Sequence, residues 1–160
     1  MAWLQRAANR NNVEAQFALG QVLGGFYDHD GVTWLRRAAE NGHLEATHHL
    51  GQQLLNAGSF YRKPVEALNW LRLAANAGYV PSQHSLGDLL LRGDVPHDPV
   101  EACVWYQLAA AAGDARCRAE AGSLARTLAP ERRAEVESRV RDWLPTPLKQ
   151  TSPAAELKLP

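Results

Sequence analysis

The chain has 160 residues, a length that fits one domain of ordinary size and can bury a substantial core. Its 17 lysines and arginines balance 17 aspartates and glutamates, and this lack of a basic excess disfavours binding to nucleic acid. No apolar run approaches the roughly 20 residues that a membrane-spanning helix needs, so we expect no membrane insertion.

The N-terminal sequence MAWLQRAANR lacks the basic start, apolar centre and cleavage site of a signal peptide. Two cysteines, in no metal-binding spacing, are too few for a disulfide-dense scaffold. We therefore expect a cytoplasmic protein, with a periplasmic location open if an upstream segment has been removed.

Four segments of the chain share one pattern of tryptophan, paired alanines and glycine. They read WLQRAANRNNVEAQFALG from Trp3, WLRRAAENGHLEATHHLG from Trp34, WLRLAANAGYVPSQHSLG from Trp70 and WYQLAAAAGDARCRAEAG from Trp105. The tryptophans are separated by 31, 36 and 35 residues. Self-similarity at this period is typical of a solenoid built from repeated units.

Within each segment the apolar positions recur with helical spacing, as Trp70 and Ala74 do. Gly42, Gly78 and Gly113 follow the alanine pairs by three residues, where a helix ends in a left-handed residue. Each segment is therefore predicted to form a helix, a tight turn and a second helix, in an all-α fold of about seven or eight helices.

The starts of the tryptophan helices differ among the segments. In DPVEACVW, Asp98 is predicted to cap the helix and Glu101 to be its reciprocal capping-box partner. In KPVEALNW, Lys63 holds the cap position, which predicts a weaker start. The connection before Trp34 is shorter than its counterparts, so that helix is expected to begin late and to be short.

A small residue stands twelve positions after each tryptophan, where two helices must approach closely. These residues are Ala15, Ala46, Ser82 and Cys117. Cys117 is therefore interpreted as a packed residue rather than a ligand or a nucleophile. Cys103 is interpreted in the same way, because neither cysteine has a histidine at catalytic spacing.

The pattern resembles the Sel-one-like repeat (SLR) family, a branch of the tetratricopeptide-like helical repeats. The family's unit reads A-x-x-x-L-G, a variable loop, D-x-x-x-A-x-x-W and A-A-x-x-G. Its marks stand here at Ala46, Leu50, Gly51, Trp70, Ala74, Ala75 and Gly78, and again at Leu86, Gly87, Asp98, Ala102, Trp105, Ala109, Ala110 and Gly113. The last segment departs from the family, with Ala121 where leucine belongs, so the final repeat is degenerate.

The resemblance implies a right-handed α-solenoid of antiparallel helix pairs, used as an adaptor or scaffold for other proteins, often in bacteria. We expect about four repeat units over residues 1–144, the first starting in mid-repeat. The stretch PERRAEVESRVRDWL predicts a C-terminal capping helix, since one face is apolar and the other charged. The proline-rich tail, residues 145–160, is expected to be mobile unless a partner or the solenoid orders it.

The candidate partner-binding surface follows from helical geometry. In the second helix of each segment the small residue, the leucine and the glycine pack inward, which leaves the opposite face exposed on a concave wall. This strip consists of Glu14, Phe17, Gln21, Glu45, His48, His49, Gln52, His84 and Asp88. We expect it to bind a protein or peptide, with an affinity that changes between about pH 5 and 8.

The alternative is a hydrolase or metal-dependent enzyme that uses His48, His49 and His84. His48 and His84 occupy the same repeat position, and His84 and Asp88 are one helical turn apart. The chain lacks H-E-x-x-H, C-x-x-C, a nucleophile elbow and a glycine-rich phosphate loop. It also lacks the cysteine pair that staples each repeat in relatives proposed to be hydrolases. A non-catalytic binding module without metal, cofactor or catalytic residues is therefore favoured.

Overall fold

The structure, a computed structural model, describes residues 1–24, 29–56 and 62–148. Within these ranges it contains nine helices and no strand. They are α1 (Ala2–Asn9), α2 (Val13–Gly24), α3 (His29–Glu40), α4 (Leu44–Asn56), α5 (Pro64–Asn76), α6 (Val80–Arg92), α7 (Pro99–Ala111), α8 (Ala115–Thr127) and α9 (Pro130–Asp142). The all-α repeat fold is confirmed. The expected seven or eight helices are too few, because the four segments form one pair each and the capping helix α9 is the ninth in the described residues.

The helices form two compact units, which divide within α5. The first unit contains Met1–Trp70 and the second contains Leu71–Pro147. The three tryptophan helices α3, α5 and α7 end as predicted, because Gly42, Gly78 and Gly113 have φ values of 84°, 87° and 107°. In the first repeat Asn11 takes this place with φ 60°, a conformation that asparagine tolerates better than most residues.

In the first unit, Trp34 packs with Ala8, Ala15 and Leu19 in a core cluster. Glycine is required where α2 approaches α3, because a Cβ on Gly20 would lie 2.7 Å from Leu35 Cγ. Trp34 and Trp70 are buried, which confirms the prediction.

The prediction of a late, short α3 is wrong. This helix has 12 residues, against 13 in α5 and α7. A Cβ on Gly31 would lie 2.5 Å from the backbone nitrogen of Gly24. The glycine thus lets α3 begin close beside the end of α2, so the missing residues shorten the connection rather than the helix.

In the second unit, Tyr106 packs with Ala109, Cys117 and Ala121 in a core cluster, and Trp105 is buried as predicted. A Cβ on Gly87 would lie 2.5 Å from the Tyr106 ring, whereas nothing lies within 4 Å of the equivalent point on Gly122. The last repeat has therefore lost the close helix approach that its glycine serves elsewhere, as expected of a degenerate unit.

The predicted cap of α7 is only half correct. The Asp98 side chain accepts a hydrogen bond from the Glu101 backbone N–H at 2.9 Å. The reciprocal capping-box bond is absent, because the Asp98 N–H donates to the Leu90 carbonyl instead. The Glu101 carboxylate is used elsewhere, accepting from Arg72 and from Trp105 Nε1.

The start of the C-terminal tail contacts the second unit. The Thr146 N–H donates to the Asn76 carbonyl at 2.7 Å, at the end of α5. Val136 is buried in the predicted capping helix α9. The expectation of a mobile tail otherwise falls on residues 149–160, which lie outside the described residues.

Candidate functional site

Four aromatic side chains lie side by side in the first unit and are called the ring cluster: Phe17, His43, His48 and His49. The Phe17 ring centroid lies 4.4 Å from that of His43 and 5.5 Å from that of His49. The His48 and His49 rings meet edge to face at 5.5 Å. These ring contacts connect α2 to α4 and to His43, the residue that precedes α4.

His43 is held in one orientation by hydrogen bonds on both ring nitrogens. Its Nδ1 accepts from the Ala46 N–H at 3.1 Å, which caps the N terminus of α4. Its Nε2 lies 3.3 Å from Glu14 Oε2. An imidazole whose Nδ1 accepts must carry its proton on Nε2 when neutral, so His43 donates to Glu14.

Burial and crowding keep the exposed edge of the ring cluster uncharged at neutral pH. Burial, reinforced by the neighbouring His49, lowers the pKa of His48 to about 4. Burial also lowers the pKa of His49, and the nearby Glu45 carboxylate offsets this only in part. At neutral pH His48 is therefore a neutral imidazole, and the lowered pKa of His49 favours its neutral form as well. The change of affinity between about pH 5 and 8 stays a prediction.

The predicted strip is only partly exposed. Glu14, Gln21 and Glu45 are exposed, and His48, His49 and Gln52 are half-buried. The expectation that Phe17 is exposed is wrong, because the ring is only 9% accessible beneath His43 and His49. Angular position along the helix could not reveal this, since His43 reaches Phe17 from the neighbouring repeat.

His84 and Asp88, the remaining residues of the predicted strip, belong to a different cluster in the second unit. His84 Nε2 lies 3.6 Å from Asp88 Oδ1 and 3.4 Å from Glu120 Oε2. Its Nδ1 lies 3.2 Å from Arg116 Nη2 and 3.8 Å from Asp114 Oδ2. The partners of His84 are thus charged groups of α6, of α8 and of Asp114, the N-cap residue of α8, whereas those of His49 are mainly rings.

Tyr106 and Cys117 form the floor of this second cluster. The Tyr106 hydroxyl donates to Asp88 Oδ1 at 2.6 Å. Burial, together with the Asp88 carboxylate, raises the pKa of Tyr106, so the phenol keeps its proton. Burial and the charges of Asp114 and Glu120 raise the pKa of Cys117 to about 12, so the thiol is protonated at neutral pH. The thiol is fully buried, as predicted for a packed residue.

Two equivalent ion pairs between neighbouring repeats were not predicted from the sequence. Arg36 pairs with Glu66 in the first unit, and Arg72 pairs with Glu101 in the second. Each arginine stands two positions after a tryptophan, and each glutamate stands four positions before the next one. This recurrence was a readable signal, since the helices that carry it are neighbours in any stack of repeats.

Comparisons with known proteins agree with the helix-pair repeats described above. The Sel1 repeat family matches residues 1–12, 13–43, 44–79 and 80–114, so the chain belongs to this family. A Sel1 repeat protein from Oxalobacter formigenes is 31% identical, with a TM-score of 0.63, over 75% of this chain and 95% of that one. No curated protein matches the chain.

A protective antigen of uropathogenic Escherichia coli with an SLR fold is similar over 99% of this chain, with a TM-score of 0.78 and 24% identity. The chain spans 36% of the length of that antigen, and the likeness shows the fold alone. Sel1 repeat proteins are generally protein-interaction modules, typically without catalytic activity. Among the helices that the structure describes, none is both long and apolar enough to cross a membrane.

Proposed function

We propose that this chain is a non-catalytic adaptor or scaffold that binds a protein or peptide on the first unit, over the ring cluster and its polar border. The border consists of Glu14, Gln21, Glu45 and Gln52. The observation that carries the proposal is the set of mutually packed rings, flanked by two exposed carboxylates. A strip that continues to His84 and Asp88 joins two units and stays a sequence prediction.

The chemistry of this surface defines the kind of partner. Neutral imidazoles offer ring faces for packing and nitrogens that can donate to or accept from peptide groups. Glu14 is 83% exposed, and Glu45 is also exposed, so both can attract a cation. The surface therefore suits a peptide that places an aromatic or aliphatic side chain next to lysine or arginine.

A random-peptide display library, selected against the immobilised full chain, tests this proposal. Enriched peptides are then synthesised and their Kd is measured by fluorescence anisotropy against variants. We expect Glu45→Lys and His49→Ala to weaken binding at least fivefold, because the first reverses a border charge and the second removes a central ring. A pull-down from the source cell, analysed by mass spectrometry, then searches for natural partners.

The matched control is Glu137→Lys, an equal charge reversal at an exposed position of α9 in the second unit. This variant should bind the selected peptides like the wild type. The proposal is wrong if no peptide is enriched, or if the enriched peptides bind equally well to all three variants.

A further inference from the structure

The cluster around His84 in the second unit contains two pairs of side chains whose types can bind metal ions, one pair on each of two helices. His84 and Asp88 lie one turn apart on α6, while Cys117 and Glu120 lie one turn apart on α8. One ligand atom each of His84, Cys117 and Glu120 falls within 4.8 Å of the other two. In tetrahedral zinc sites, with bonds of about 2.0 to 2.3 Å, ligand atoms are about 3.3 to 3.8 Å apart. The side chains need to contract by only about 1 Å.

One atom of this group is buried without a hydrogen-bond donor. Glu120 Oε2 has almost no solvent contact and receives no hydrogen bond from the described residues. It lies 3.4 Å from His84 Nε2, an ion-pair distance without hydrogen-bond geometry. A buried carboxylate oxygen without a partner is costly, and a cation between these atoms would relieve that cost.

From this juxtaposition we propose that His84 Nε2, Cys117 Sγ and Glu120 Oε2 bind a Zn²⁺-class divalent cation. Asp88 lies outside this group but 3.6 Å from His84 Nε2, and it moves in as the fourth ligand. Sulfur, nitrogen and oxygen donors together suit Zn²⁺, whereas Mg²⁺ and Ca²⁺ prefer oxygen alone. Four protein ligands leave no open position, so the ion is structural and links α6 to α8. The proposal does not rest on the peptide-binding function.

The surrounding charges favour a cation but contain one competitor. Three carboxylates, those of Asp88, Asp114 and Glu120, lie within 3.8 Å of the His84 ring nitrogens. Arg116 is the competitor: it donates to His84 Nδ1, which places the proton of a neutral ring on Nε2.

Metal binding therefore requires two changes in protonation. The His84 proton must move to Nδ1, where Asp114 Oδ2 can accept it as the carboxylate behind a zinc-bound histidine. The Cys117 thiol must release its proton to solvent when the sulfur binds the ion. Arg116 loses its acceptor in this exchange, so Arg116→Ala is expected to tighten binding.

The experiment uses the full chain, stripped with a chelator and titrated with Co²⁺ and with Zn²⁺. Co²⁺ reports sulfur ligation through a thiolate-to-metal charge-transfer band. We expect one Co²⁺ per chain with this band, and a rise in Tm with Zn²⁺, because a ligand that binds only the folded state stabilises it. Cys117→Ala should abolish the band, and His84→Ala and Glu120→Gln should weaken binding at least tenfold.

Cys103→Ala is the matched control, because Cys103 is also a buried free cysteine but lies outside the ligand group. It should keep the band. The Cys117→Ala variant should fold, since Ala15 and Ala46 fill the same position in other repeats. If it does not fold, Glu120→Gln tests the proposal instead. The proposal is overturned if Co²⁺ gives no thiolate band, if Cys103→Ala loses it instead, or if Glu120→Gln binds like the wild type.

Discussion

The two units place side chains of one repeat position in different surroundings. Fourteen residues after the tryptophan stand Phe17 and His48 in the first unit and His84 in the second. Phe17 is covered by two imidazole rings, and burial, reinforced by the neighbouring His49, lowers the pKa of His48. His84 is surrounded by three carboxylates. The repeat fixes where such a side chain stands, while its neighbours decide what it can bind.

The largest expected effect compares Trp3 and Trp70, which occupy the same repeat position but differ in burial. Trp70→Ala should cost about 3 to 5 kcal/mol, because the side chain is 1% exposed and its removal leaves a large cavity. Trp3→Ala should change stability by less than about 0.5 kcal/mol, since Trp3 is 74% exposed. Urea unfolding monitored by circular dichroism measures both. Equal losses of unfolding free energy in the two variants would show that the difference in burial between Trp3 and Trp70 has no effect on stability.

The next effect concerns Phe17, which helical geometry alone placed on an exposed strip. Because the ring is buried against His43 and His49, Phe17→Ala should destabilise the fold by about 3 kcal/mol. Phe17→Leu should cost only about 1 kcal/mol, because it keeps most of the apolar contact. The free energy of unfolding in urea tests this prediction. An unchanged value for Phe17→Ala would show that the Phe17 side chain is exposed.

The sequence predicted the repeat frame well, because the frame depends on local and periodic features. The left-handed residue at Gly78, the cap at Asp98 and the burial of Trp105 are each set by neighbours along one helix pair. The membership of the Sel1 repeat family follows from the same marks.

The surroundings of the polar residues could not be predicted in the same way. His43 reaches Phe17 from 26 positions away, and Cys117 meets His84 from 33 positions away. Both distances differ from the repeat period, because the partners occupy different positions within their repeats. Spacing along one helix therefore could not predict that the His43 ring covers Phe17 or that Cys117 and Glu120 lie near His84.

A smaller effect distinguishes the neutral ring cluster from a charged one. The pKa of His48 is about 4 in the folded chain and 6.5 without the fold, so the unfolded chain binds more protons between these values. This depressed pKa favours the folded state above about pH 6.5, and the advantage is lost as the pH falls toward 4. After allowance for partial solvent screening, we expect a loss of about 1 kcal/mol.

The measurement compares the wild type with His48→Gln, which cannot titrate. Urea unfolding at pH 7 and at pH 4.5 should show a wild-type loss about 1 kcal/mol greater than that of the variant. Identical losses in the two proteins would mean that His48 keeps an ordinary pKa. The ring cluster would then carry charge in mildly acidic solution, and affinity for a basic peptide would fall there.

The smallest effect compares the two equivalent ion pairs between repeats. Arg72 makes a forked contact with both oxygens of Glu101, whereas Glu66 is shared between Arg36 and Lys63. A double-mutant cycle with Arg72→Lys and Glu101→Gln should give a coupling energy of about 0.5 to 1 kcal/mol, because lysine cannot reproduce the fork.

The cycle with Arg36→Lys and Glu66→Gln is the matched comparison and should give a smaller coupling energy. Lys63 Nζ lies 3.6 Å from Glu66 Oε2 and keeps a positive charge beside that carboxylate when Arg36 is changed. Both coupling energies should fall in high salt, since the four side chains are only partly buried. A first-unit coupling equal to or larger than the second would show that the fork adds nothing and that charge alone joins these neighbouring repeats.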